Sequence, residues 1–125
     1  MPRIAGFFEV GLRVRDLRRS EVFYCEALGL CPATRDETLG FLAVRAGDAV
    51  LRLQQDDGSW PSQHVAFAVE AAALEETLAH LREEGYPVEG PYFHEWLPAT
   101  SFELRDPDGH RLELCTEIRL RRVLP

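Results

Sequence analysis

The chain has no lysine: all 14 of its basic residues are arginine. That excludes a mechanism built on a lysine Schiff base or a lysine nucleophile. Cysteine is scarce, and Cys25, Cys31 and Cys115 show no Cys-x-x-Cys spacing. An odd number so spaced argues against a disulfide framework and against a structural zinc site, so the three are expected to be buried free thiols. No apolar run approaches the roughly 18 residues of a membrane span. The start, Met1-Pro2-Arg3-Ile4, lacks the apolar stretch of a secretion signal, so the expected location is cytoplasmic. Net charge is −7, without a basic stripe interleaved with aromatics, which speaks against a nucleic-acid partner. The one local basic cluster, Arg119-Leu-Arg-Arg122, reads as a solvated tail.

What the chain does have is a repeat. At 125 residues, 46% hydrophobic and 28% charged, it has the length of a single domain that can bury a core without staples. Glu9-Val-Gly-Leu-Arg-Val-Arg-Asp16 and His64-Val-Ala-Phe-Ala-Val-Glu-Ala71 share one alternating pattern, the signature of half-buried strands. A helical stretch follows each. Asp16 is placed to cap the first, and Leu74, Leu78 and Leu81 form the apolar stripe of the second. Gly29 and Gly85 stop them. Three strand signals come next, near 30–34, 39–46 and 48–54 in the first half and near 86–90, 99–105 and 110–116 in the second. The closing turns are Ala46-Gly-Asp48 and Asp106-Pro-Asp-Gly109. The expected fold is α+β: two tandem βαβββ modules, about 5–54 and 63–118 around a linker at 55–62, in one domain over 1–125. Their mixed sheets should curve into a cleft with the helices outside.

Alternation sorts the side chains. With Val10, Leu12, Val14, Leu51, Leu53, Leu112 and Leu114 on the helix side, Glu9, Gly11, Arg13, Arg52, His64, Ala66, Ala68 and Glu113 share the other face. Small residues beside isolated charges are what a ligand-binding surface looks like in sequence. Glu103 alternates onto the same face with Ser101 and Arg105. His94 and Trp96 lie in a loop able to cover the cleft mouth or to pack on a partner chain. His110, in a turn, and His80, on the second helix, are expected to face solvent.

Two segments carry a family resemblance: Glu9 through Leu30, with its Asp-Leu-x-x-Ser helix start, Phe-Tyr pair and Leu-Gly-Leu exit, and Ser101 through Leu114, with Asp-Pro-Asp-Gly-x-x-Leu-Glu. With His64-Val-Ala-Phe-Ala-Val69 between them, the chain resembles the glyoxalase, bleomycin-resistance and extradiol-dioxygenase superfamily, also called vicinal oxygen chelate proteins. The resemblance implies a divalent metal held at positions that here are Glu9, Arg52, His64 and Glu113. His64 and Glu113 are usual ligand types. Glu9 departs from the His or Gln of better-understood members but still offers oxygen. Arg52 cannot bind a metal, because a guanidinium only donates.

The metal set is then Glu9, His64 and Glu113, with Glu9 and Glu113 as the carboxylates able to move a proton. Arg13, Arg45, Arg52, Glu103 and Trp96 are the expected substrate contacts. Two carboxylates and one imidazole suit Mn²⁺, Mg²⁺, Ni²⁺, Zn²⁺ or Fe²⁺ acting as a Lewis acid. Three functions stay open. One is a metal-dependent lyase, isomerase or small-molecule-modifying resistance enzyme on a chelating substrate. Another is a metal-free drug-binding protein of the bleomycin-resistance type, in which Arg52 bridges Glu9 and Glu113. The third, disfavoured by the ligand ratio, is an iron dioxygenase. A homodimer is expected, and no membrane partner.

Overall fold

Residues 3–94 and 99–116 are described in the computed structural model; Trp96 and the Arg119–Arg122 cluster lie outside them. The chain forms two compact units, 1–61 and 62–125. In the first, β1 (Glu9–Val14) leads to α1 (Leu17–Glu21), which runs on as a π-helical stretch, Val22–Ala27, before β2 (Cys31–Asp36), β3 (Phe41–Ala46) and β4 (Ala49–Gln55). In the second, β5 (His64–Val69) and α2 (Ala71–Glu83) precede β6 (Glu89–His94), β7 (Ala99–Arg105) and β8 (Arg111–Thr116). The strand orders are β1-β4-β3-β2 and β5-β8-β7-β6. In each sheet the first strand is parallel to the last and the remaining pairs are antiparallel. The expected βαβββ unit is therefore present twice.

Local chemistry sets the boundaries. Asp16 Oδ1 accepts from the backbone N–H groups of Arg18 and Arg19 at 3.0 and 3.3 Å, satisfying donors that a helix start leaves unpaired. Gly29 and Gly85 end the helical stretches at φ +78° and +88°, where a Cβ would be strained. Tyr86 N–H then reaches back to Leu81 O at 3.0 Å, the return bond of a glycine-terminated helix.

Burial follows the alternation. Leu12 and Val14 of β1, Leu42 and Val44 of β3, and Leu51 and Leu53 of β4 are buried, together with Phe23, Tyr24 and Ala27; Val10, expected to pack beside Leu12 and Val14, is exposed instead. Phe23 and Tyr24 meet edge to face at 5.0 Å. In the second unit Leu78 and Leu81 of α2 are buried with Phe102, Leu104, Leu112 and Leu114. Each such leucine contributes about 1.5–3 kcal/mol over an exposed one.

Three expectations are corrected. The strand placed near 86–90 runs over Glu89–His94, because Gly90-Pro91 sits inside an edge strand as a bulge instead of breaking it. His110 is 0% exposed rather than solvated. Its Nδ1 accepts from Gln63 N–H at 2.9 Å and its backbone N–H donates to Asp106 Oδ1 at 2.8 Å, so the closing turn folds it against the strand entrance. Of the three free cysteines only Cys115 is buried; Cys31 is exposed and Cys25 half-buried, since Cys31 opens the edge strand of its sheet. His80 is exposed as expected.

Candidate functional site

The strand registers bring out a correspondence between the units. Gly11 of β1 lies opposite Arg52 of β4, and Ala66 of β5 lies opposite Glu113 of β8. Glu9 and His64 each stand two residues before that small residue, on the same face. So Glu9 and Arg52 in one unit correspond to His64 and Glu113 in the other.

In the second unit the pair closes: His64 Nε2 is 2.7 Å from Glu113 Oε1. The other carboxylate oxygen, Oε2, is 3.5 Å from His94 Nε2, and that nitrogen is 2.9 Å from Ser101 Oγ. Glu113 is only 14% exposed and Ser101 1%, so little water competes for either. Glu103, opposite Glu113 on β7, is 3.7 Å from Arg105 Nη2. Cys115 lies one position along the same face, where burial first and the Glu113 carboxylate second push its thiol pKa up. It is therefore kept as the neutral thiol, which is neither a strong nucleophile nor a ready metal ligand.

In the first unit Arg52 Nη1 is 3.8 Å from Glu9 Oε1, and its guanidinium carbon stands 3.8 Å over the Phe41 ring. The stack and the ion pair together hold a permanent cation on this face. Arg13 is paired with Asp56 at 3.2 Å. Its neighbour Arg15 donates to Gly58 O at 3.3 Å and stacks on Trp60 at 4.9 Å, so both arginines tie the post-β4 segment to β1. Arg45 is exposed on β3.

Over residues 6–114 the chain matches the family model of the Glyoxalase/Bleomycin resistance protein/Dioxygenase superfamily. It belongs to that superfamily. An integron cassette protein from the mobile metagenome of the Halifax Harbour sewage outfall is 33% identical, with a TM-score of 0.84 over 90% of this chain and 99% of that one. The fold is shared at lower identity with a lactoylglutathione lyase from Agrobacterium tumefaciens (21% identity, TM-score 0.78, 91% and 95% covered). It is shared too with an antibiotic binding protein from a Streptomyces species (22% identity, TM-score 0.74, 94% and 99% covered).

Superfamily members often bind divalent metals, so the donor chemistry of this chain can be tested against that role. His64 and Glu113 fit: a neutral imidazole nitrogen and a carboxylate oxygen on adjacent strands are ligands that Zn²⁺, Mn²⁺, Ni²⁺ or Fe²⁺ accept. Arg52 does not fit, and among the described residues no three His, Cys, Asp or Glu side chains are gathered as a metal-holding group. Arg52 pairs with Glu9, which is one half of the bridge to Glu9 and Glu113 that the metal-free network would need. His94, expected in a loop at the cleft mouth, instead ends β6 beside Ser101 and Glu113. The alternation in 89–94 is broken by Gly90-Pro91, which reads as a turn and so hides the strand.

Proposed function

We propose that this protein binds a small organic substrate with adjacent oxygens together with a divalent cation, as a lyase, isomerase or small-molecule-modifying enzyme. His64 and Glu113 are the donors of the second unit, and Glu9 is the third ligand expected from the sequence. The 2.7 Å approach of His64 Nε2 to Glu113 Oε1 carries the reading. It supports a site whose two donors already sit side by side on parallel strands, so that ordering them costs little when an ion arrives. The ion would supply Lewis acidity toward a substrate carbonyl, hydroxyl or epoxide oxygen. Glu113, when displaced toward substrate, is the group positioned to accept a proton, with His64 beside it to stabilise the carboxylate. Glu103 and Arg45 would orient the substrate's polar groups. The assembly is taken to be a cytoplasmic homodimer, which sedimentation and cell fractionation would check.

Metal analysis of protein purified without chelator tests the reading. Wild type should carry a divalent metal and H64A should lose it. A metal-free wild type would sink the proposal, and a variant that keeps its metal would discredit the ligand set.

The Arg52–Glu9–Phe41 arrangement favours a second reading. A guanidinium stacked on a ring and paired with a carboxylate is itself a recognition surface for planar or anionic molecules. Under this reading the protein sequesters a small molecule without metal; the Streptomyces protein of the same fold is an antibiotic binding protein. Ligand binding that survives exhaustive chelation and is lost in R52A would decide for it.

A further inference from the structure

We propose that His94 is a positioning residue that fixes the carboxylate plane of Glu113, and that the bulge at Gly90 exists to deliver it. The proposal rests on the metal-assisted reading. Glu89 faces Glu103 on β7, but Tyr92 faces Ser101, so three steps along β6 match two along β7. Had the first register continued, His94 would share a face with Phe102 and Leu104, in the core layer. One extra residue turns the rest of the strand over. His94 and Tyr92 thereby come onto the face of Ser101 and Glu113.

The bulge is written into Gly90. Its φ is +131°, and a Cβ built there would stand 2.9 Å from the Ser101 carbonyl oxygen and 2.9 Å from Phe102 Cδ1. Only a residue without a side chain lets β6 approach β7 so closely.

Once delivered, His94 Nε2 lies 2.9 Å from Ser101 Oγ and 3.5 Å from Glu113 Oε2. A proton on Nε2 serves both oxygens, whereas a lone pair there would oppose the carboxylate. Glu113 then has an imidazole at each oxygen: His64 within hydrogen-bond distance of Oε1 at 2.7 Å, and His94, anchored on Ser101, at 3.5 Å from Oε2. A carboxylate gripped at one oxygen still swings about its last torsion; gripped at both, it presents one orientation. Partners of this kind behind a metal-binding carboxylate commonly contribute 10–100-fold to metal affinity. The equivalent place in the first unit has Phe41 where the second has Ser101, and Phe41 carries a cation instead of a histidine.

The test is calorimetric titration of Mn²⁺ and Ni²⁺ into chelator-stripped full-length protein, for wild type, H64A, H94A and H94Q, with circular dichroism confirming the fold of each. H64A should abolish binding, which checks the underlying reading. H94A should weaken binding roughly 10–100-fold, and H94Q, which keeps a side-chain N–H donor, should recover most of it. Wild-type affinity in H94A would overturn the positioning role while leaving the metal reading intact. If wild type itself binds neither metal, the metal reading fails and the inference is decided by metal-free crystal structures. A Glu113 that changes rotamer in H94A supports the role, and one that stays in place overturns it.

Discussion

In the first unit the position opposite Gly11 holds Arg52, and in the second the position opposite Ala66 holds Glu113. The registers of the parallel and central pairs around them are the same, and the edge strand of each sheet carries a bulge, between Pro32 and Thr34 and between Glu89 and Tyr92. The side chains differ at nearly every polar position. Arg52 rests on Phe41 and pairs with Glu9, whereas Glu113 is held between His64 and His94. A backbone plan has thus been kept while one copy became a cationic platform and the other a carboxylate between imidazoles. That separation can be broken or sharpened by substitution, starting with the core that both copies share.

The largest effects belong to that core. Leu51 and Leu112 occupy equivalent places and are 2% and 0% exposed. Truncating either to alanine removes buried methylenes and leaves a cavity, at a cost of about 2–5 kcal/mol. Urea denaturation of L51A and L112A should show comparable losses. A cost below about 1 kcal/mol for one alone would mean that its unit is the more loosely packed and that the correspondence is confined to the backbone.

Next comes Gly90. G90A forces a Cβ against the Ser101 carbonyl at a φ that L-residues avoid, which should cost about 1–3 kcal/mol. A lower melting temperature is expected, with weaker Mn²⁺ binding if β6 shifts and carries His94 away. Unchanged stability would show that the bulge relaxes freely and that the chain does not depend on a glycine there.

How far these features could be read in advance differs by level. The strand-helix-strand order, the cap at Asp16 and the stops at Gly29 and Gly85 were legible because each has a local cause: a short polar side chain, a residue without Cβ, a period of two. The correspondence of Glu9, Arg52, His64 and Glu113 was legible because alternation carries across a repeat. His94 and His110 were not. Gly90-Pro91 looks like a turn signal, and nothing in the sequence says that the chain absorbs it as a bulge and continues the strand. Turn position argues for an exposed His110. Its burial depends on Gln63, 47 residues away, returning to the same spot.

R52E brings the first unit closer to the second. The Arg52–Glu9 pair is partly exposed, 35% and 40% at the two side chains, so losing it should cost no more than about 1 kcal/mol. The introduced carboxylate and Glu9 then repel in the absence of an ion. A divalent cation between them would relieve that repulsion, so the melting temperature should rise with added Mn²⁺ more than in wild type. No such metal dependence would show that this face of the first unit cannot be turned into a donor set by one residue.

The smallest effect is expected at Gly11, where the second unit has Ala66. A Cβ at Gly11 meets nothing within 4 Å, and its φ lies outside the left-handed region. Alanine therefore fits without strain, and by restricting the unfolded chain G11A should stabilise by about 0.4–1 kcal/mol. The added methyl also sits on the face of Glu9 and Arg52, in the space that a ligand would use. A variant that melts higher yet binds its small molecule less well would show that this glycine is kept for room on the face. A variant improved in both would show that binding leaves the Gly11 face untouched, and would move the search for contacts to His64, His94 and Glu113.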